Sequence, residues 1–166
     1  MKDKKKLNIN SFLDKIKSIN KIELPNGNMK FNIELTYAEN IIAYVNKNME
    51  FHREDGPART IIYRSNGKPK EEAYIVNGKY SRKDGPAIIK YRSDGSVCEE
   101  SYEVYGILHR MDGPAYITYF NGGIPNTKIY YLFGERYDFN DDFVFAVYTA
   151  SLKEIEEEKL FKLSQN

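Results

Sequence analysis

Hydrophobic and polar residues alternate over short stretches in the middle of the chain. Between residues 87 and 91, alanine, isoleucine and tyrosine occupy every second position, and a lysine lies between two of them. Side chains of a strand point alternately to its two faces, so this period of two predicts a β-strand. The stretch ends at Ser93-Asp94-Gly95, and a second strand-like stretch, 99–104, ends near another glycine. The pattern predicts a β-hairpin with an Asp-Gly turn, followed by a polar connector.

The alternation also assigns the two faces of the predicted hairpin. Ile89 and Tyr91 belong to the face that carries most of the apolar residues, and this face is predicted to be buried. The opposite face carries Lys90, Ser101 and Glu103, which we expect to face solvent.

The same pattern is written three times with a step of 28 residues, as the spacing of Tyr74, Tyr102 and Tyr130 shows. Self-similarity at such a period is typical of repeat architectures. The expected fold is therefore mainly β, an antiparallel meander of repeated β-hairpins, with an N-terminal helix and a C-terminal helical cap. The three connectors read His52-Arg53-Glu54-Asp55-Gly56-Pro57-Ala58, Ser81-Arg82-Lys83-Asp84-Gly85-Pro86-Ala87 and His109-Arg110-Met111-Asp112-Gly113-Pro114-Ala115.

The first copy contains one residue more than the others, located between Ala58 and Tyr63. An extra residue would turn the strand's side chains to the wrong face unless a β-bulge absorbs it. The sequence therefore predicts a bulge at 60–62.

The third copy carries apolar residues at positions that are polar in the second copy. An apolar outer face needs a cover, and the C-terminal segment is the expected one. The positions are Tyr116, Ile129, Tyr131 and Phe133.

The chain divides into four parts. Residues 1–20 are predicted to form a basic tail and a helix, because Phe12, Leu13, Ile16 and Ile19 share one helical face. Residues 21–50 are predicted to form an atypical hairpin and a further strand. Residues 51–138 contain the three repeat units, and 139–166 the helical cap.

The residues of the connector sequence Arg-x-Asp-Gly-Pro favour a stiff turn. Aspartate bonds nearby backbone N–H groups, glycine permits positive φ, and proline fixes φ. The arginine can pair with the aspartate of its own or of a neighbouring unit. Either this ladder only shapes the turns or it binds a ligand. The candidate binding residues are Arg53, Asp55, Arg82, Asp84, Arg110, Asp112, His52 and His109.

Composition narrows the function classes. The formal net charge of +1 argues against a nucleic-acid or membrane partner, which normally requires clustered positive charge. A single cysteine, Cys98, excludes an intrachain disulfide framework, and no apolar stretch is long enough to cross a membrane. We expect a cytoplasmic protein. The two histidines occupy equivalent repeat positions instead of converging, so no catalytic residue, metal or cofactor is predicted.

The repeat unit resembles the variant MORN-type repeat, and its connector resembles the His-Arg-x-Asp-Gly-Pro-Ala repeats of bacterial, phage and giant-virus proteins. The resemblance covers residues 51–137. It departs from the pattern at Ser81, where the other copies have histidine, and at Met111, where they have a charged residue. It implies a β-hairpin array that acts as a scaffold or as a partner-binding surface, with no catalytic residue to carry over.

These observations predict a non-enzymatic repeat protein that binds another protein. The resemblance adds the expectation of a viral or phage factor that engages a host protein. A second copy of the chain on the open sheet face is a further expected partner. The alternative is a nucleic-acid-binding protein that uses the repeated arginines, lysines and tyrosines.

Overall fold

A computed structural model describes residues 15–36, 39–138, 145–146, 149–150 and 152–165. The strands in chain order are β1 (Ile16–Glu23), β2 (Met29–Leu35), β3 (Glu39–Val45), β4 (Arg59–Tyr63), β5 (Pro69–Ala73), β6 (Ile75–Val76), β7 (Lys79–Tyr80), β8 (Ile88–Tyr91), β9 (Val97–Ser101), β10 (Glu103–Val104), β11 (Ile107–Leu108), β12 (Tyr116–Tyr119), β13 (Pro125–Leu132) and β14 (Glu135–Tyr137). One described helix, α1 (Lys153–Ser164), follows.

The described residues confirm the prediction of a mainly β, antiparallel fold. Ten strands form one sheet in the order β1-β2-β3-β4-β5-β8-β9-β12-β13-β14. The long hairpins β4/β5, β8/β9 and β12/β13 follow one another, and the second strand of one pairs with the first strand of the next. Gly67 and Gly95 adopt φ of 70° and 95°, which permits the tight turns.

The segment after each long hairpin forms a second, short hairpin that the sequence did not predict. β6 pairs with β7, and β10 pairs with β11. Asn77-Gly78 and Tyr105-Gly106 join these strands with positive φ at both turn residues, the geometry of a type I′ turn. Each sequence copy therefore contains two hairpins, and the polar connector begins only after the second.

The predicted bulge is present, but the reason given for it was wrong. The register of the β4/β5 pair shifts between Ile61 and Ile62, and the β8/β9 and β12/β13 pairs shift at equivalent positions. The extra residue lies in the turn instead. In the first copy the Gly67 N–H bonds the carbonyl of Tyr63, four residues back, whereas the Gly95 N–H bonds that of Arg92, three residues back.

The assignment of a buried and a solvated face is confirmed only in part. Five positions predicted to be buried are buried, namely Ala87, Ala115, Ile117, Tyr130 and Leu132, whereas Ile89 and Tyr91 are only half-buried. Every residue of β4 and of β8 is half-buried, whichever face it points to. Ser101, predicted to face solvent, is only 5% exposed. The described residues place no second layer over most of the sheet, so its side chains are buried mainly against their neighbours in the same sheet.

Complete burial occurs where the connectors fold against one end of the strands. Ala58, Ala87 and Ala115, the last residues of the three connectors, are all 0% exposed. Ala58 packs with Ala73 and Ile75 in a small core. An alanine is the residue that fits here because the connector backbone passes close by.

The predicted N-terminal helix is wrong where the structure describes it. Ile16 and Ile19 lie in β1, and the rest of the predicted helix, up to residue 14, lies outside the described residues. Isoleucine is β-branched and favours a strand, and β1 pairs with β2 along almost its whole length. The atypical hairpin and the further strand predicted within 21–50 are confirmed as β1/β2 and β3.

The C-terminal segment covers the last hairpin on the face opposite to the one predicted. Phe145 is 1% exposed and packs with Tyr130 and Leu132, and Leu152 packs against the same cluster. Of the four positions predicted to be covered, Phe133 is in this cluster. Ile129 and its neighbours Tyr116 and Tyr131 are half-buried. The helical cap is confirmed for 153–164, whereas residues 139–144 lie outside the described part.

No helix in the described part of the chain is long and apolar enough to cross a membrane.

The position of the extra residue can be tested by two deletions. Removal of Ser65 shortens the first turn to the length of the others, so the free energy of unfolding should change by less than about 1 kcal/mol. Removal of Thr60 from β4 moves the following strand residues to the opposite face and should prevent cooperative folding. Urea unfolding followed by circular dichroism measures both. Equal damage from the two deletions would contradict the turn assignment.

Candidate functional site

The three connectors are anchored by the same backbone hydrogen bonds. The N–H of Arg82 donates to the carbonyl of Glu103 at 3.1 Å, and the N–H of Arg110 donates to that of Tyr131 at 3.1 Å. The N–H of Arg53 bonds Ile75 in the same way. The first, second and third connectors are therefore hydrogen-bonded to β6, β10 and the end of β13, respectively.

Each connector arginine lies over the ring of a tyrosine that precedes it by eight or nine residues in the chain. This cation–π contact was not predicted, although the regular spacing of Tyr74, Tyr102 and their arginines in the sequence could have indicated it. A cation within about 6 Å of a ring centre is attracted by the electrons of the ring face. The guanidinium carbon lies 4.2 Å from the ring centre in Arg53/Tyr44, 3.8 Å in Arg82/Tyr74 and 3.9 Å in Arg110/Tyr102.

The glycine of each connector lies against the other side of the same guanidinium. A Cβ atom added to Gly56 would lie 3.0 Å from the guanidinium carbon of Arg53. The corresponding distances are 3.1 Å at Gly85 and 3.3 Å at Gly113. The absence of a side chain thus leaves room for the arginine between the connector backbone and the tyrosine ring.

Two of the three connector aspartates, Asp55 and Asp112, pair with the arginine of their own connector, one of the two arrangements left open by the sequence. Arg53 Nε donates to Asp55 Oδ1 at 2.7 Å, and Arg110 Nε donates to Asp112 Oδ1 at 2.6 Å. The hydrogen bond from Arg53 lowers the pKa of Asp55. Both aspartates are about four-fifths exposed, with side-chain exposures of 82% and 81%. Pairs this exposed contribute little to stability.

A fourth tyrosine continues the column, but an aromatic ring replaces the arginine. Tyr130 packs against Phe145, with ring centres 4.6 Å apart and the ring planes tilted by 45°. The residue eight positions after Tyr130 is Asp138, whereas Tyr74 and Tyr102 are followed at this distance by arginines. The C-terminal segment therefore supplies the partner that a further connector would have provided.

The repeated histidine position has a structural role in all three copies. His52 Nδ1 accepts a hydrogen bond from the N–H of Asn77 at 3.2 Å, and His109 Nδ1 accepts one from the N–H of Phe133 at 3.2 Å. Ser81 Oγ accepts the equivalent bond from Tyr105 at 3.2 Å. The position requires an acceptor for the first residue of the positive-φ turn, which explains why serine can replace histidine.

His109 has additional contacts because the C-terminal helix passes over it. Its Nε2 lies 3.0 Å from Glu156 Oε1, and its ring stacks on Phe133 with 4.3 Å between ring centres. The Lys159 ammonium lies 4.6 Å from the centre of the Phe133 ring. The side chain of His109 is 3% exposed. These contacts attach α1 to the third copy.

An open groove of about 930 Å³ runs between the second and third connectors and α1. It brings together Arg82, Asp84, Arg110, Asp112 and His109, whereas Arg53, Asp55 and His52 do not line it. Its remaining lining residues are of mixed character: apolar at Val104, Met111 and Leu160, acidic at Glu156 and Glu157, and basic at Lys83.

A second regular feature lies on one face of the long hairpins. Tyr91 Oη donates to Glu72 Oε2 at 2.7 Å, and Tyr119 Oη donates to Glu100 Oε2 at 2.7 Å. Burial raises the pKa of both tyrosines. Sequence reasoning missed these pairs, although the same 19-residue separation occurs twice. We call this surface the tyrosine face, which consists of Glu72, Ile89, Tyr91, Glu100, Ile117 and Tyr119.

The described residues contain no group of three His, Cys, Asp or Glu side chains that could hold a metal ion. The thiol of Cys98 contacts the carbonyl of Lys90 at 3.4 Å, inside the sheet.

Comparison of the chain with protein-family models, with curated proteins and with solved structures gives no match. The geometry of the chain itself is therefore the basis for any functional argument.

A double-mutant cycle tests the packing of arginine on glycine. Gly56→Ala should lower the free energy of unfolding by about 1 kcal/mol, because the added methyl group displaces Arg53 from Tyr44. In an Arg53→Ala background the same substitution should be neutral, or stabilising by about 0.4–1 kcal/mol. Urea unfolding of the four proteins gives the coupling. Additive effects would contradict the contact.

The acceptor role of histidine is tested at His52, where α1 makes no described contact. His52→Ser should change the free energy of unfolding by less than about 0.5 kcal/mol, since Ser81 fills the same role in the second copy. His52→Ala should cost about 1 kcal/mol because the N–H of Asn77 loses its acceptor. Thermal unfolding of the wild type and of both variants measures these effects. Equal stabilities of the two variants would refute the acceptor role of His52.

Proposed function

We propose that this chain is a non-enzymatic scaffold that binds another protein through the tyrosine face. The observation that carries the proposal is the form of the sheet. The residues of β4 and β8 are half-buried on both faces. One face of the long hairpins presents Tyr91, Tyr119 and Ile89 between ordered carboxylates, with Ile117 of the same face buried at 7% exposure. Tyrosine is enriched at protein interfaces because its ring is apolar and its hydroxyl is polar.

The connector ladder is a weaker choice of binding surface than the sequence suggested. Arg53, Arg82 and Arg110 are each enclosed between a tyrosine ring and a glycine. A ligand that bound these guanidinium groups would have to break contacts that hold the connectors to the sheet. This supports a partner on the sheet face, where the side chains hold their positions and remain accessible.

The tyrosine face is also ordered in advance of binding. The hydrogen bonds from Tyr91 and Tyr119 to Glu72 and Glu100 fix the side chains of two successive hairpins in the same orientation. Equivalent residues of successive hairpins lie two strand spacings, roughly 10 Å, apart. Binding to such a surface loses little side-chain entropy, which favours affinity. The resemblance to phage and giant-virus repeat proteins extends the proposal to a partner from a host cell.

The nucleic-acid alternative depends on the same arginines that the tyrosines and glycines enclose. Its test is a mobility shift with a mixed RNA and DNA pool at low salt. Binding that weakens steeply with added salt, and that Arg82→Ala abolishes, would replace the proposal of a protein partner.

Two substitutions in one strand test the proposed binding surface. Ile89 belongs to the tyrosine face, and its neighbour Ile88 points to the opposite face with a similar half-buried environment. Ile89→Asp should abolish capture of the partner from a lysate of the source cell or its host, and Ile88→Asp should retain it. The expected loss is at least tenfold, since a buried charge at an interface is costly.

Circular dichroism and urea unfolding first establish that both variants fold. Capture by Ile89→Asp at the wild-type level would refute the assignment of the tyrosine face. Loss in the Ile88→Asp variant alone would move the binding surface to the other face of the sheet.

A further inference from the structure

Four isoleucines form a continuous row on the face of the sheet opposite to the tyrosine face. Ile19 of β1 pairs with Ile33 of β2, Ile33 pairs with Ile41 of β3, and Ile41 pairs with Ile61 of β4. Directly paired residues of antiparallel strands point to the same face, with Cβ atoms about 5 Å apart. The row therefore crosses four neighbouring strands without a polar interruption.

Further apolar residues widen this row. Phe31 and Ala43 are paired on the same face, and so are Met29 and Val45. Leu35, at the end of β2, has the same strand parity as Ile33. We call this surface the isoleucine patch, which consists of Ile19, Met29, Phe31, Ile33, Leu35, Ile41, Ala43, Val45 and Ile61.

The same face changes character within β4, where Arg59 is paired with Ala43 of the patch. Arg59 Nη2 pairs with Glu71 Oε1 at 2.6 Å, and Lys90 Nζ pairs with Glu99 Oε1 at 2.7 Å. Partly buried ion pairs occupy this half of the face, whereas the nine residues of the isoleucine patch are uncharged. An apolar surface of this extent that is not required by the fold marks an interaction site.

The described part of the chain places no second layer over most of the patch. Strands β1 to β4 pack chiefly against their hydrogen-bonded neighbours in the sheet. Two patch residues, Ala43 and Val45, are buried, at 5% and 6% exposure. The other seven are half-buried or, like Ile19 at 53%, exposed, so they are held in register while one side of them faces outward.

We propose that a second copy of this chain covers the isoleucine patch, with the two sheets packed face to face. A patch without charged residues resembles homodimer interfaces, which are more apolar than the interfaces of partners that exist independently. A twofold arrangement places the same patch on both sides, so isoleucine rows pack on isoleucine rows about 10 Å apart.

The charges at the border of the patch fit this twofold arrangement. Lys21 and Glu23 follow Ile19 on the same face of β1 and are exposed. Glu39 of β3 and Arg59 of β4 border the patch on the same face. Because each copy presents groups of both signs at this border, a twofold axis can bring unlike charges together. A border of one sign would instead repel its own copy.

The size of the patch indicates a weak dimer. Four strands at about 4.8 Å and three residue pairs at about 6.8 Å give roughly 400 Å² per copy as a flat area. Two copies bury roughly 800 Å² by this measure, and somewhat more with the corrugation of the side chains, which is below the roughly 1,200–2,000 Å² of stable interfaces. We therefore expect a dissociation constant in the micromolar range or weaker, with monomer and dimer in rapid exchange.

Sedimentation velocity of the full-length chain between about 5 and 300 µM tests the proposal. The average mass of the wild-type chain should rise from monomer towards dimer with concentration. Ile41→Lys should remain monomeric over the whole range. Ile42→Lys is the matched control, because Ile42 is the next residue of β3, is also half-buried and points to the opposite face.

The outcomes separate the possible occupants of the patch. A wild-type chain that stays monomeric at 300 µM overturns the proposal, and so does a dimer that Ile41→Lys leaves intact. A monomeric wild type whose folding Ile41→Lys impairs far more than Ile42→Lys places another segment of the same chain on the patch. If the wild type forms a dimer but the Ile41→Lys variant does not fold, the Ile33→Thr variant is tested instead. That variant must then weaken the dimer.

Failure of the dimer is distinguishable from failure of the proposed partner binding. Ile89→Asp should lose the protein partner and still dimerise, because Ile89 lies on the tyrosine face. Ile41→Lys should stay monomeric and still capture the partner. A dimer that Ile89→Asp dissociates would contradict the assignment of dimerisation to the isoleucine patch.

Discussion

The stacking of a connector arginine on a tyrosine of the sheet is the interaction on which the structure depends. The part of the chain that the structure describes places no second layer over most of the sheet, which therefore buries little and relies for stability on contacts at the ends of its strands. There Arg53, Arg82 and Arg110 each fill the space between a tyrosine ring and a glycine. The arginine position thus determines three other residue types: the tyrosine below, the glycine above and the nearby aspartate.

This constraint also explains how the array ends and where function can lie. At Tyr130 the chain has no connector arginine, and Phe145 of the C-terminal segment packs there instead. The groups that looked most like a binding site, the repeated arginines and histidines, are occupied by contacts within the chain. The two sheet faces remain accessible, and they differ in composition. One presents hydrogen-bonded tyrosines and carboxylates, and the other presents an uncharged isoleucine patch.

The sequence predicted the features that depend on local chemistry. The hairpins, their glycine turns and the antiparallel meander follow from alternation and from turn residues. The predictions failed where tertiary context decides. Ile16 and Ile19 have helical spacing, yet they pair with β2, because a neighbouring strand offers both hydrogen bonds and apolar contact. Alternation at Ile89 and Lys90 could not indicate burial, because a single layer leaves both faces half-exposed. The arginine–tyrosine stack needs the connector to fold back on the sheet, which spacing alone does not show.

Hydrogen exchange of the wild type and of Arg82→Met tests the central claim most directly, since methionine keeps the apolar length of arginine without its guanidinium. The backbone N–H groups of Ser81, Arg82 and Ala87 bond Tyr74, Glu103 and Ser101. If the stack holds the connector, these amides should exchange at least tenfold faster in the variant, while those of β2 and β3 keep their protection. Unchanged exchange at the connector would show that its backbone hydrogen bonds suffice, and would contradict the account.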